Sequence, residues 1–193
     1  SGFQSKLGNR GLKSDIAGKE NVELYVYYAG HGILDENGNG LFLPVDADPT
    51  GDYLIDQSIQ QSWFYEQLYS LENVDNVIAF VDACFSGEPK DREDNFINSE
   101  VERKVNEGRS VSRSSSYKLP DEFKEKITLF SASGNNEVAY SYRFFNNKND
   151  LNISNGLFTT FLAASFQLND SNYMNADENR DKKLSKNELF DYI

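Results

Sequence analysis

Asn76-Val77-Ile78-Ala79-Phe80-Val81-Asp82-Ala83-Cys84-Phe85-Ser86-Gly87 is the stretch on which the reading of this chain turns. Residues 77–82 are mostly apolar and rich in β-branched and aromatic types, the composition of a strand buried on both faces. The run leads through Ala83 into Cys84, the only cysteine in 193 residues. A thiol at the carboxyl end of a buried strand sits where open α/β sheets place ligands and reactive groups. A lone cysteine is more ordinarily a small buried hydrophobe. Ser86-Gly87 marks a turn directly after it, and Asp82 sets a carboxylate into an otherwise core-like pattern. Both features favour a reactive thiol.

Upstream, Val22-Glu23-Leu24-Tyr25-Val26-Tyr27-Tyr28 is a second strand-like run, and it ends in Ala29-Gly30-His31-Gly32. His31 is the only histidine. A single histidine is usually a surface or satisfied core residue. This one is flanked by glycines, which let the backbone turn sharply and another group come close. With each at the end of a strand, His31 and Cys84 are a candidate base and nucleophile.

Tyr27-Tyr28-Ala29-Gly30-His31-Gly32 together with Asp82-Ala83-Cys84-Phe85-Ser86-Gly87 resembles the catalytic blocks of the caspase-like cysteine peptidases, closest to the bacterial caspase-like and metacaspase branch. Cys84 follows His31 by 53 residues, near the ~50 of caspase-type enzymes. Leu43-Pro44-Val45-Asp46, Ser131-Ala132-Ser133 and Gly156-Leu157-Phe158-Thr159 extend the resemblance over residues 20–193. It implies an α/β fold of the caspase-hemoglobinase kind, a sandwich with a mostly parallel central sheet flanked by helices. It also implies a dyad of His31 and Cys84, with the backbone N–H groups of Gly32 and Cys84 as oxyanion donors. No cofactor is required for such chemistry. The opening strand that should precede the histidine strand is not found in residues 1–20, which are polar and spaced by glycines.

Animal caspases carry Gln two residues before the cysteine and Gly two after; here the positions are Asp82 and Ser86. Metacaspases instead hold a Lys or Arg side chain between acidic residues two before the cysteine and about fifteen after the histidine. Asp82 and Asp46 match those places, so the resemblance implies cleavage after Arg or Lys. Two carboxylates around one guanidinium form charge-assisted bonds, roughly twice as strong as neutral ones. Asp46 also reads as a plain turn residue ahead of Pro49, and the serine that often precedes the metacaspase Gly-His is Ala29. Glu137 and Tyr140 are further candidates for the pocket wall.

The composition bounds the alternatives. A length of 193 residues suits one domain, 1–193, and 38% hydrophobic content with 13% aromatics supports a packed core. A net charge of −12 argues against nucleic acid and fits protein or peptide substrates with basic residues. One cysteine excludes an internal disulfide. No apolar run reaches transmembrane length, and no signal peptide is visible.

Between the blocks, residues 35–40 read as a turn and 41–45 as a short extended piece. Trp63, Phe64, Leu68 and Leu71 fall at helical spacing over 59–71. Residues 88–126 lose hydrophobics and include Arg109-Ser110-Val111-Ser112-Arg113-Ser114-Ser115-Ser116, so they read as a flexible loop. Caspase-like enzymes carry processing sites in the corresponding place. A third buried strand spans 127–133, loops fill 134–156, and Leu157, Phe158, Phe161, Leu162 and Phe166 mark a covering helix over 157–168.

Residues 177–188 follow the calcium-loop spacing of an EF-hand, with Asp177, Asn179, Asp181, Lys183 (through its backbone carbonyl), Ser185 and Glu188 at the ligand positions. The sixth position, normally Gly, is Lys182. The same residues also read as an acidic turn capping a helix over 185–193, where Ser185 and Glu188 fit a capping box. The expected function is thus a cysteine endopeptidase that cuts after Arg or Lys and processes itself in 88–126. The alternative is a catalytically silent caspase-like module serving calcium-dependent or protein–protein interaction.

Overall fold

A computed structural model describes residues 11–35, 37–47, 54–83, 85, 118–132, 141–145 and 152–193. Three parallel strands form the central sheet among the described residues, in the order β1 (Val22–Ala29), β5 (Val74–Asp82), β6 (Ile127–Ser131). Side chains of a strand alternate between faces, and β1 shows it residue by residue. Val22, Leu24, Val26 and Tyr28 are half-buried, while Glu23, Tyr25, Tyr27 and Ala29 are exposed. β5 is different, because residues 77–82 are all buried. Its odd-numbered residues Val77, Ala79 and Val81 pack on one face and its even-numbered Ile78 and Phe80 on the other. Each large apolar side chain so covered contributes about 1.5–3 kcal/mol relative to exposure. The strand that carries Asp82 is therefore the best anchored of the three.

The first face is covered by α3 (Gln61–Tyr69) through Phe64, Tyr65 and Leu68, joined by Phe42, Leu119, Phe123 and Ile127. Among the described residues two short helices precede α3, α1 (Leu12–Ile16) and α2 (Leu54–Gln57). The second face is covered by α4 (Leu157–Ser165) and α5 (Lys186–Tyr192), whose Leu162 and Leu189 meet Ile78, Phe80 and Phe130. Helices on both faces of a parallel sheet make an α/β architecture. Lys126, one residue before β6, donates to the carbonyls of Tyr69 (2.8 Å) and Leu71 (2.5 Å) at the end of α3. A cation there meets the negative end of the helix dipole and the unsatisfied last carbonyls.

Several elements differ from the sequence expectation. Residues 59–71 do not begin as helix: Ile59–Gln60 form β4, paired antiparallel with β3 (Gly40–Phe42), and the helix starts at Gln61. β3 also pairs with β2 (Gly32–Leu34), and Asp35 closes that hairpin by accepting the N–H groups of Asn37 (2.9 Å) and Asn39 (2.7 Å). The lead-in is not featureless, because Leu12 and Ile16 of α1 reach the core. Within 88–126, residues 118–126 are ordered by burial of Leu119 and Phe123 around a 3-10 helix, Asp121–Glu125. The remainder, 88–117, lies outside the described residues. Within 134–156 a hairpin forms from β7 (Ser141–Phe145) and β8 (Asn152–Gly156). The helix expected over 157–168 stops at Ser165, because Leu168 bridges to Met174 in extended form. Among the described residues no helix is long and apolar enough to cross a membrane.

Candidate active site

The parallel register of β1 and β5 brings the two sequence blocks to one end of the sheet. Ala29 is the partner of Asp82, and Gly30 N–H donates to the Asp82 carbonyl at 3.1 Å. The residue two before His31 thus lies beside the residue two before Cys84. Cys84 itself lies outside the described residues, while Ala83 and Phe85 on either side of it are buried. Phe85 packs edge-on against Phe42, with ring centroids 5.5 Å apart.

His31 is exposed, yet its backbone is held firmly. Its carbonyl accepts the Leu43 N–H at 3.0 Å and the Tyr28 hydroxyl at 2.7 Å. The same hydroxyl reaches the Leu43 carbonyl at 3.1 Å, and the Tyr28 ring lies on Phe42 with centroids 4.5 Å apart. Gly30 makes this possible, since a methyl group on it would stand 2.9 Å from the Tyr28 hydroxyl. Burial pushes the Tyr28 hydroxyl up to about 12, with the bond to Leu43 opposing it, so it stays a donor at neutral pH. Phe42 touches both Tyr28, which ties down the His31 loop, and Phe85, which follows Cys84. Gly32, the expected oxyanion donor, opens β2 opposite Phe42.

Asp82 and Asp46 occupy different surroundings. Asp46 is exposed, in the turn where Ala47 N–H donates to the Pro44 carbonyl. Asp82 is 8% exposed and shares the even-numbered face of β5 with Ile78 and Phe80. Its Oδ2 accepts the Thr159 N–H (3.2 Å) and the Thr159 hydroxyl (2.5 Å) at the first turn of α4. No hydrogen bond joins Asp46 to Asp82 among the described residues. Glu137 and Tyr140 lie outside them.

The caspase domain family matches residues 12–188. The chain belongs to that family. A search of curated proteins found no match. Caspase domains are cysteine peptidases and act on proteins, and the α/β sheet observed here agrees with that fold. The match takes in His31, Cys84, Gly156-Leu157-Phe158-Thr159 and the acidic loop up to Glu188.

That acidic loop of the caspase domain is internally bonded. Asp177 is 5% exposed and accepts the N–H groups of Asp181 (3.1 Å) and Lys182 (2.9 Å). Asn179 accepts from Asp181 at 2.8 Å, and Asp181 from Lys183 at 2.7 Å. Lys182 takes φ 66°, the left-handed conformation that the sixth position demands, and Arg180 takes φ 60°. The Lys182 ammonium lies 5.8 Å from the centre of the Tyr173 ring. Ser185 and Glu188 form a capping box at the start of α5. The Ser185 hydroxyl and N–H hold the Glu188 carboxyl below the usual carboxylate range. Among the described residues no three His, Cys, Asp or Glu side chains gather as a group able to hold a metal ion.

Sequence reasoning did not pick out Tyr28 or Thr159 as working residues. Both stand inside quoted motifs, and the period-two alternation of β1 was the available signal for Tyr28. It puts that side chain on the face of Leu24 and Val26, under the loop that follows. Thr159 lies 77 residues from Asp82, and no local pattern links them.

Proposed function

We propose that this caspase domain is an endopeptidase of metacaspase-like specificity, cutting after Arg or Lys with a dyad of His31 and Cys84. The observation that carries the reading is the parallel register that sets Ala29 beside Asp82, with Gly30 N–H on the Asp82 carbonyl. Both blocks therefore leave the sheet at the same end.

In the proposed cycle His31 takes the Cys84 proton and the thiolate attacks the scissile carbonyl. The C–N bond breaks as His31 returns the proton to the departing amine, leaving an acyl-enzyme that water hydrolyses. The N–H groups of Gly32 and Cys84 are the proposed donors to the oxyanion. The buried carboxylate of Asp82, aided by Asp46, is the proposed partner of the basic side chain. The chemistry needs no cofactor. The side chains of Asp177, Asn179, Asp181, Ser185 and Glu188 bond within the loop 177–188, and no step of the chemistry is assigned to calcium.

A fluorogenic peptide panel decides the proposal. Wild type should cleave after Arg or Lys far faster than after Asp. Cys84→Ala and His31→Ala should each lose activity while melting as wild type does, and Asp82→Asn should lose most of the basic preference. Full activity in either dyad variant, or preference for Asp, would overturn it.

A further inference from the structure

Resting on the reading of Asp82 as the receptor of a basic side chain, we infer that Thr159 and Tyr27 are positioning residues that orient this carboxylate for the substrate. The alternation of β1 and β5 sets up the arrangement. Asp82 lies on the even-numbered face of β5, and Tyr27 on the outward face of β1, the side on which α4 packs. The Tyr27 and Thr159 hydroxyl oxygens are 2.6 Å apart.

The direction of the protons follows from chemistry. An ionised carboxylate only accepts, so the Thr159 hydroxyl must give its proton to Asp82. Its oxygen is then an acceptor toward Tyr27, and the chain runs Tyr27 O–H to Thr159 O–H to Asp82 Oδ2. Both hydrogen bonds that described residues make to the carboxylate fall on Oδ2. The Thr159 contacts thus fix one oxygen of the carboxylate and leave Oδ1 without a hydrogen bond from a described residue. Charge-assisted O–H to carboxylate bonds are the strong kind, so the Thr159 hydroxyl fixes the orientation in which the carboxylate meets a basic side chain. Gly156 supplies the space: a methyl group on it would stand 2.5 Å from Asp82 Cγ and overlap the carboxylate. Tyr27 is 51% exposed, so the outer end of the chain is reachable from solvent.

If Thr159 only capped α4, its loss would lower stability and affect all substrates alike. A positioning role affects recognition of the basic residue. The test compares Thr159→Val, Thr159→Ser and Tyr27→Phe with wild type on Arg-peptide hydrolysis, beside the rate at which iodoacetamide, a small uncharged electrophile, alkylates Cys84. Thr159→Val should raise KM for the Arg peptide about tenfold with kcat within about twofold, and alkylation should be unchanged. Thr159→Ser, which keeps the hydroxyl, should restore KM. Tyr27→Phe should raise KM about threefold. A wild-type KM in Thr159→Val, or equal losses in kcat and alkylation that Ser does not reverse, would overturn the assignment. If Thr159→Val does not fold, Tyr27→Phe decides by the same KM criterion. Failure of wild type to cleave Arg or Lys peptides would remove the pocket reading itself, and is visible without any variant.

Discussion

Replacing Tyr28 with phenylalanine removes a single oxygen and leaves the ring against Phe42 at 4.5 Å. The lost hydroxyl serves the carbonyls of His31 at 2.7 Å and Leu43 at 3.1 Å. A neutral hydrogen bond contributes about 0.5–1.5 kcal/mol net. The His31 carbonyl keeps the Leu43 N–H at 3.0 Å, which limits the damage there. The expected loss is about 1–2 kcal/mol, and for a chain of 193 residues each kcal/mol moves Tm by about 2–4 °C. The catalytic effect should be larger in proportion, because a base displaced by even a fraction of an ångström loses its alignment. We expect kcat for an Arg peptide to fall about tenfold with KM little changed. The hydroxyl's value is raised from 10.0 to about 12 in the folded chain, so the neutral form is the one the fold favours. Its stability contribution is complete below pH about 10 and is lost as pH rises through about 12. The gap in Tm between wild type and Tyr28→Phe should hold from pH 7 to 9 and close above 10. Thermal melts across pH with peptide kinetics at pH 7.5 test this. A variant with wild-type kcat and Tm, or a gap that does not narrow, would refute the argument.

Three further outcomes are expected. Gly156→Ala forces the Asp82 carboxylate aside and should cost about 1–3 kcal/mol in chemical denaturation, with a raised KM for Arg peptides; a change below about 0.5 kcal/mol would show that the carboxylate relocates freely. Asp177→Ala leaves the Lys182 N–H without its acceptor, while the Asp181 N–H keeps Asn179, and should cost about 1–3 kcal/mol. If the loop takes calcium, calorimetry at millimolar calcium should give a heat that this variant lacks, whereas no heat in wild type leaves a capping turn. Incubated wild type should cut itself in the Arg109–Arg113 region, by fragment mass, while Cys84→Ala stays whole; an intact but active wild type would end the self-processing idea.

The elements readable from sequence are those whose burial is uniform. β5 has both faces covered, so its apolar run is unbroken, and β1 and β6 lie alongside it in parallel. α5 announces itself through Ser185 and Glu188, a local signal that needs no tertiary information. β4 was hidden because two residues, Ile59 and Gln60, carry no period, and their extended form comes from pairing with β3. Residues 118–126 were absorbed into the polar loop because their order rests on Leu119 and Phe123 meeting a core assembled from distant strands. Motif spacing singles out Asp82 and His31, and it says nothing of what holds them in place. Tyr28 acts through backbone carbonyls, which leave no trace in residue types, and Thr159 acts across a crossover.

Consecutive tyrosines in β1 face opposite ways, Tyr28 toward the His31 loop and Tyr27 toward Thr159. A single residue inserted or deleted upstream, with the start of the strand held in register by β5, would send each of the two side chains to the opposite face. The loop tether and the carboxylate relay would then fail together, although the amino-acid content had barely changed. Laboratory evolution of this strand should therefore accept many point substitutions at Glu23 and Tyr25, whose side chains are exposed. It should reject nearly every single-codon insertion or deletion between 22 and 27, so that the strand is constrained in length far more tightly than in composition.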